Sequence, residues 1–236
     1  MNTILFDLDG TLLPMDMNAF MELYFMELSY AFKDLINGEE LGKNIWASTK
    51  AMVENVEDRT NEEVFMDDFS KRVTGNIEDY QKRFDEFYDT RFLNVRSTVH
   101  ENEYIKKSVA LLKEKGYNLV IATNPLFPRK AILHRINWAG LKPEDFIYIS
   151  SYEKNHYCKP QIKFYEEILK DIGKSAEKCL MVGNDVQEDL IAGKLGMKTF
   201  LITDHMLHRT TEVVKTDYEG SYKEFYDFAC NLPKIV

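Results

Sequence analysis

Two aspartates, Asp7 and Asp9, end a short apolar run near the amino terminus, and Gly10 and Thr11 follow directly. The run at 4–6 is typical of a buried parallel strand. Residues two apart on a strand share a face. Both carboxylates are therefore predicted to face the space beyond the strand's carboxyl end, where open α/β sheets bind ligands. Two carboxylates this close require a cation or a shared proton to relieve their repulsion.

A hydroxyl and an amide follow a second apolar run at 119–122. Thr123 could donate a hydrogen bond to a phosphoryl oxygen, as could the backbone amides around it. A turn residue or a helix cap is the alternative for this threonine. Asn124 could donate either to phosphate or to a neighbouring loop.

A lysine precedes a proline at the predicted start of a later helix. Pro160 suits the first helical turn, which leaves Lys159 at the helix entrance. A lysine there could neutralise a phosphate and lower the pKa of a carboxylate such as Asp7. A solvated surface lysine is the alternative.

Two acids, Asp185 and Asp189, follow a third apolar run that ends at Gly183. Their spacing of four can aim both side chains toward one side of a helix. Acids near a helix amino terminus are also favourable without any further role. Simple capping by one of the two therefore stays open.

Taken in order, these four segments resemble the motifs of the haloacid-dehalogenase-like (HAD) hydrolase superfamily, in its phosphatase branch with a type-1 helical cap. The resemblance implies a Mg²⁺-dependent enzyme that cleaves phosphate esters. Asp7 is the implied nucleophile, which forms an aspartyl-phosphate, and Asp9 is the implied general acid and base. Halide departure needs no proton, so an acid at position 9 favours phosphoryl transfer over dehalogenation.

The resemblance also assigns the remaining site residues. Those implied to bind phosphate are Thr123, Asn124 and Lys159. Those implied to hold Mg²⁺ are Asp7, Asp9 (through its backbone carbonyl) and Asp185, with Thr11 and Asp189 in supporting positions. Many relatives read Gly-Asp where this chain reads Gly-Asn-Asp, so the division of roles among Asn184, Asp185 and Asp189 stays open.

The implied substrate is a small phosphorylated metabolite, because a helical cap would close over the site. A sugar phosphomutase of the same superfamily is the alternative within enzymes. A phospho-acceptor or binding module without turnover is the alternative from another class, since response-regulator receivers also combine aspartates, a threonine and a lysine with Mg²⁺. The acids of the cap either face solvent or line the pocket for an amine-bearing substrate. Trp46 is a candidate for the same lining.

The elements that must position these residues follow from the periodicity of apolar residues. Spacings of three and four predict four helices at 17–36, 39–56, 61–73 and 77–92, with Gly38 as a left-handed cap after the first. Helices at 101–115, 129–138, 161–172, 187–195 and 222–231 then alternate with strands at 118–122, 146–149, 179–182 and 199–202. This alternation predicts right-handed βαβ units and a parallel sheet.

The predicted fold is therefore α/β, with a doubly wound, Rossmann-like core at 1–14 and 93–236 and an inserted all-helical cap at 15–92. The net charge of −9 resides in the cap, because 16–91 holds 18 acidic and 9 basic residues. This distribution disfavours nucleic-acid partners. No run approaches the ~20 apolar residues that span a membrane. Three separated cysteines and the lack of a signal-peptide pattern predict a cytoplasmic location.

Overall fold

The computed structural model describes residues 1–235 and contains a six-stranded sheet in which every neighbouring pair is parallel. The strands are β1 (Thr3–Phe6), β2 (Asn118–Ile121), β3 (Tyr148–Ile149), β4 (Cys179–Gly183), β5 (Lys198–Ile202) and β6 (Tyr218–Gly220). Their order is β3-β2-β1-β4-β5-β6, so the chain runs outward from β1 in both directions. This confirms the predicted doubly wound fold and places the ligand-binding switch point beside β1.

Helices cover both faces of the sheet. They are α1 (Met17–Phe32), α2 (Gly38–Glu54), α3 (Asn61–Ser70), α4 (Ile77–Asp89), α5 (Glu103–Glu114), α6 (Arg129–Trp138), α7 (Ile162–Ile172) and α8 (Tyr222–Asn231). Alternate residues of β1 enter different apolar clusters: Ile4 and Phe6 pack with α5, α6 and α8, whereas Leu5 packs with α7. Within residues 1–235, no helix is long and apolar enough to cross a membrane.

The four helices α1–α4 lie between β1 and β2 in the chain and are followed by a 3₁₀ segment, Arg91–Thr98. Each begins at a residue whose side chain accepts hydrogen bonds from the first turn: Asp16, Asn37, Thr60 and Asn76. These caps satisfy amide groups that have no partner inside the helix. The prediction that Gly38 is a left-handed cap was wrong, because Gly38 is the first residue of α2 and lacks a positive φ.

Three other local features of the structure differ from what the sequence predicted. The strand β6 was not predicted, since it is short and mostly exposed and carries no apolar run. The helix predicted at 187–195 is a 3₁₀ segment, Leu190–Leu195. The strand β1 ends at Phe6, so Asp7 and Asp9 lie in the following turn rather than along one strand face. The backbone N–H of Asp7 still donates to the carbonyl of Val182 at 2.9 Å.

Candidate active site

Five of the predicted site residues line one cavity of about 600 Å³ at the carboxyl ends of the central strands. They are Asp7, Asp9, Thr123, Asn124 and Asp185. The turn after β1, the residues after β2 and the residues after β4 bring them together, because parallel strands end at the same edge of a sheet. The cavity extends from this edge to helices α1–α4.

Lys159 lies beneath the cavity and binds two of the predicted carboxylates. Its Nζ donates to Oδ1 of Asp7 at 2.8 Å and to Oδ1 of Asp189 at 2.6 Å. The side chain is fully buried, which by itself disfavours the ammonium ion. The carboxylates of Asp189 and Asp7 outweigh that effect and raise the pKa of Lys159 well above its usual value. The lysine therefore stays charged, and the surface-lysine alternative is wrong.

Asp189 and Asp185 have different partners. Oδ2 of Asp189 accepts from the backbone N–H of Asp185 at 2.9 Å, so Asp189 fixes both Lys159 and the turn after β4. Oδ1 of Asp185 accepts from the N–H groups of Gln187 and Glu188, each at 3.0 Å. Asp185 thus caps this turn while it also lines the cavity. Its Oδ2 contacts the guanidinium of Arg209, which is half exposed.

Asp9 is bound by a residue that the sequence did not single out. The Nη1 of Arg135 donates to Oδ2 of Asp9, and the Arg135 side chain is fully buried. Its guanidinium also lies 4.4 Å from the ring centroid of Phe127. The other carboxyl oxygen of Asp9, Oδ1, is buried without a hydrogen-bond partner among residues 1–235. Burial raises the pKa of Asp9, and the charge of Arg135 opposes the rise only in part.

The turn that carries both aspartates is held by side chains from distant elements. Gly10 adopts a φ of 81°, a conformation that favours glycine. The Thr11 hydroxyl donates to Oδ1 of Asn184 at 2.9 Å, and Nδ2 of Asn184 donates to the carbonyl of His205 at 2.7 Å. The Tyr222 hydroxyl donates to the carbonyl of Gly10 at 2.7 Å. Asn184 therefore links the turn to the loop after β5.

Thr123 and Asn124 lie at the end of β2. The Thr123 carbonyl accepts from the hydroxyl of Ser150 at 2.7 Å, and its side chain lines the cavity. Oδ1 of Asn124 accepts from the N–H of Lys159 at 3.1 Å, and its Nδ2 donates to Oε2 of Glu188 at 3.0 Å. Asn124 thus contacts the neighbouring loops, and its role as a donor to phosphate stays a prediction.

The chemistry of the donor set fits a hard divalent cation. Within the described residues, no group of three or more histidine, cysteine, aspartate or glutamate side chains is arranged to hold a metal. The predicted set uses only two carboxylates, Asp7 and Asp185, together with the backbone carbonyl of Asp9. All three residues line the cavity. Mg²⁺ prefers oxygen ligands and keeps several waters, so few protein ligands suffice.

Comparison with known proteins decides the family. The model of the family described as haloacid dehalogenase-like hydrolase matches residues 1–196. The chain belongs to this family. The match covers most of the chain and all four motifs, so the hydrolase prediction is confirmed against the receiver-domain alternative.

Named HAD relatives of this chain include phosphatases. A phosphoglycolate phosphatase of Aquifex aeolicus is 29% identical over 231 residues, which cover 91% of this chain and 96% of that protein. A pyrophosphatase PpaX of Anoxybacillus flavithermus is 28% identical over 203 residues, which cover 84% and 81%. A solved HAD phosphatase from Thermococcus onnurineus is 17% identical, covers 100% of both chains and has a TM-score of 0.64. This last likeness shows the same fold.

Three side chains of this HAD site were missed from the sequence: Arg135, Glu188 and Arg209. Arg135 carried a usable signal, because it lies on the apolar stripe of α6, between Ile132 and Ala139. An arginine at such a position is buried, and a buried arginine needs an acidic partner. Glu188 and Arg209 had no such signal, since they come from loops whose course the local sequence does not define.

The far wall of the HAD cavity is formed by all four helices α1–α4 and is mainly aromatic and apolar. Trp46 belongs to this wall, as considered from the sequence. Two acids of the helical segment, Glu62 and Asp85, also line it. Glu62 is partly buried, whereas the Asp85 side chain is mostly exposed to solvent. The residues of the wall are Met17, Phe20, Met21, Tyr24, Phe25, Ile45, Trp46, Thr49, Glu62, Phe65, Met66, Gln81, Phe84, Asp85 and Tyr88.

Proposed function

We propose that the protein is a Mg²⁺-dependent phosphatase that hydrolyses a small phosphorylated metabolite through an aspartyl-phosphate at Asp7. The observation that carries this proposal is the pairing of Asp7 with a buried, charged Lys159 at the floor of the cavity. Lys159 engages Oδ1 of Asp7, which leaves Oδ2 as the nucleophile. The same ammonium supplies positive charge where a phosphoryl group must bind.

Asp9 is suited to the proton transfers of this reaction. Burial raises the pKa of Asp9, which favours the protonated form that gives its proton to the leaving oxygen. The resulting carboxylate then takes a proton from the water that attacks the aspartyl-phosphate. Two carboxyl groups thus take different roles, because Asp7 faces an ammonium while Asp9 lies in a buried position.

The remaining residues bind the phosphoryl group and the cation. The hydroxyl of Thr123 and the backbone amides near Leu8 and Asn124 are the proposed donors to the phosphoryl oxygens. Asp7, Asp185 and the carbonyl of Asp9 would hold Mg²⁺, which when bound offsets the clustered negative charge. We assign segment 15–92 as a cap whose closure excludes water from the cavity.

The aromatic wall favours hydrolysis over the sugar phosphomutase alternative. Sugar hydroxyls need hydrogen-bond partners when they are removed from water. Phe25 stacks on Trp46 at 5.7 Å between ring centroids, and Phe65 lies against Phe84 at 6.3 Å, so this part of the wall offers apolar surface. A mutase pocket for a sugar would need more polar groups at these positions.

The test is phosphate release from a panel of phosphorylated metabolites, with Mg²⁺ and then with excess chelator. Asp7→Asn should abolish turnover while circular dichroism and the melting temperature show an intact fold. Acid quenching with ³²P-labelled substrate should trap label on the wild-type protein and not on this variant. Unchanged turnover in Asp7→Asn, or turnover that survives the chelator, contradicts the proposal.

A further inference from the structure

Building on the proposed phosphatase function, we propose that the substrate's leaving group is a ring-sized apolar group that carries a basic nitrogen and no second negative charge. The site that selects it is the wall formed by α1–α4, opposite Asp7. Three properties of this wall carry the inference: its apolar surface, the pairing of its two tyrosine hydroxyls with each other, and the sign of its charge.

The two tyrosines of this wall do not offer their hydroxyls to a ligand. The hydroxyls of Tyr24 and Tyr88 are both buried and bind each other at 2.9 Å. Their rings therefore present carbon to the cavity, as does the ring of Phe25, which stacks on Trp46. A cavity of about 600 Å³ with such a lining fits a ring system better than a two-carbon acid.

The charges on the far wall are negative. Glu62 comes from α3 and Asp85 from α4. Burial raises the pKa of Glu62, and the negative charges of Glu153 and Asp85 raise it further, although the Asp85 side chain is itself 82% exposed. The nearest cation to Asp85 is Lys130, whose Nζ is 3.9 Å from Asp85 but only 2.8 Å from Asp89. A cationic group on the substrate would relieve this repulsion.

Apart from the cation proposed at Asp7 and Asp185, the cavity has few positively charged groups. Arg209 is the only lysine, arginine or histidine that lines it within the described part of the chain. This guanidinium contacts Asp185 and lies 3.9 Å from Oε1 of Glu188, so two carboxylates of the core already neutralise it. A carboxylate or second phosphate on the substrate would face Glu62 and Asp85, and Lys130, the cation beside Asp85, does not line the cavity. The wall therefore disfavours phosphoglycolate and pyrophosphate, the substrates in the names of the two relatives.

The test uses three aryl phosphates with closely similar phenol leaving groups and different tails: 4-ethylphenyl phosphate, 4-(2-aminoethyl)phenyl phosphate and 3-(4-phosphonooxyphenyl)propanoate. Phosphoglycolate and pyrophosphate complete the set. We expect kcat/KM to be highest for the amine and lowest for the propanoate, with steps of about fivefold. Phosphoglycolate and pyrophosphate should react more slowly than the amine.

Variants locate the origin of the preference. Glu62→Gln combined with Asp85→Asn should reduce the ratio of amine to propanoate kcat/KM about fivefold or more. The matched control is Glu40→Gln, since Glu40 is an exposed acid of α2 that does not line the cavity, and this change should leave the ratio unaltered. A ratio within one variant does not depend on how much of the sample is folded.

The outcomes separate the two proposals. Activity on all aryl phosphates with no preference for the amine, or higher kcat/KM for phosphoglycolate or pyrophosphate, overturns the substrate inference and leaves the phosphatase assignment standing. An unchanged ratio in the Glu62→Gln/Asp85→Asn variant overturns the role of this wall. Absence of phosphate release from every probe with Mg²⁺ overturns the phosphatase proposal and the inference with it.

Discussion

The guanidinium of Arg135 donates to Oδ2 of Asp9 from a position with no solvent exposure. Both ions of a buried pair lose their hydration, so the pair forms only where the surrounding structure holds both partners in place. Here α6 supplies the cation and the turn after β1 supplies the anion. The pair fixes the orientation of the proposed general acid, two residues from the proposed nucleophile.

Replacing Arg135 with Met should therefore affect substrates according to their leaving groups. We expect kcat/KM for 2-phenylethyl phosphate to fall about 10- to 100-fold, because an alkoxide needs a proton as it departs. The loss for 4-nitrophenyl phosphate should be about threefold or less, since nitrophenolate leaves unprotonated. Steady-state kinetics on both substrates gives the ratio, which is independent of folded fraction. Arg135→Lys, which keeps the charge, should lie between Met and wild type. Equal losses on both substrates would mean that Arg135 serves stability alone.

Removing Lys159 should destabilise the protein and stop turnover. Lys159→Met leaves Asp7 and Asp189 as neighbouring buried carboxylates, and breaking such a pair costs about 3–5 kcal/mol of unfolding free energy. Adding Asp189→Asn should recover part of that stability, because one of the two buried charges is removed. The double variant should remain inactive. Urea unfolding of both variants measures the effect. A double variant less stable than Lys159→Met would contradict the buried-charge explanation.

Tyr222→Phe should loosen the turn that carries Asp7 and Asp9. The lost hydroxyl leaves the buried carbonyl of Gly10 without its 2.7 Å donor, which costs about 1 kcal/mol or more. A several-fold decrease in kcat should accompany the loss, and thermal unfolding and phosphate-release rates measure the two. Tyr218→Phe is the matched control, because Tyr218 is exposed at the sheet edge and should tolerate the change.

Gly10→Ala should be more harmful than the same change at Gly75. Both glycines have positive φ values, 81° and 96°, so alanine carries a backbone penalty of about 1–2 kcal/mol at either position. A Cβ at position 10 would also clash with the side-chain amide of Asn184. A Cβ at position 75 would have no such neighbouring atom within 4 Å. The difference in unfolding free energy between the two variants isolates the contact with Asn184. Equal destabilisation would show that Asn184 moves away without loss.

The sequence identified the parts of the site that follow buried strands. Asp7, Thr123 and Asp185 were predicted together because a short apolar run marks each strand and parallel strands end at one edge. Lys159 was placed by the order of the motifs, whereas the prediction that Pro160 lies in the first helical turn was wrong, because α7 begins only at Ile162. These signals lie in the local sequence, so they can be recognised without knowledge of the tertiary packing.

The residues that sequence reasoning missed depend on tertiary structure. Arg135 was not singled out from the sequence, although its place on the apolar stripe of α6 indicated burial. The helix expected at 187–195 did not form as an α-helix: Asp185 takes the first amides of the turn, and Asp189 turns inward toward Lys159. Both side chains make contacts within the site, and local helix propensity does not predict such contacts.

The match to the family model ends at residue 196, yet the loop after β5 and helix α8 lie beyond that point and reach the site through His205, Arg209 and Tyr222. Segments exchanged between this chain and a relative would therefore have to include both β5 and α8. A chimera joined at residue 196 would combine the turn after β1 from one parent protein with the loop after β5 and α8 from the other. A loss of activity in this chimera would reflect mismatched contacts to the turn rather than altered catalytic residues.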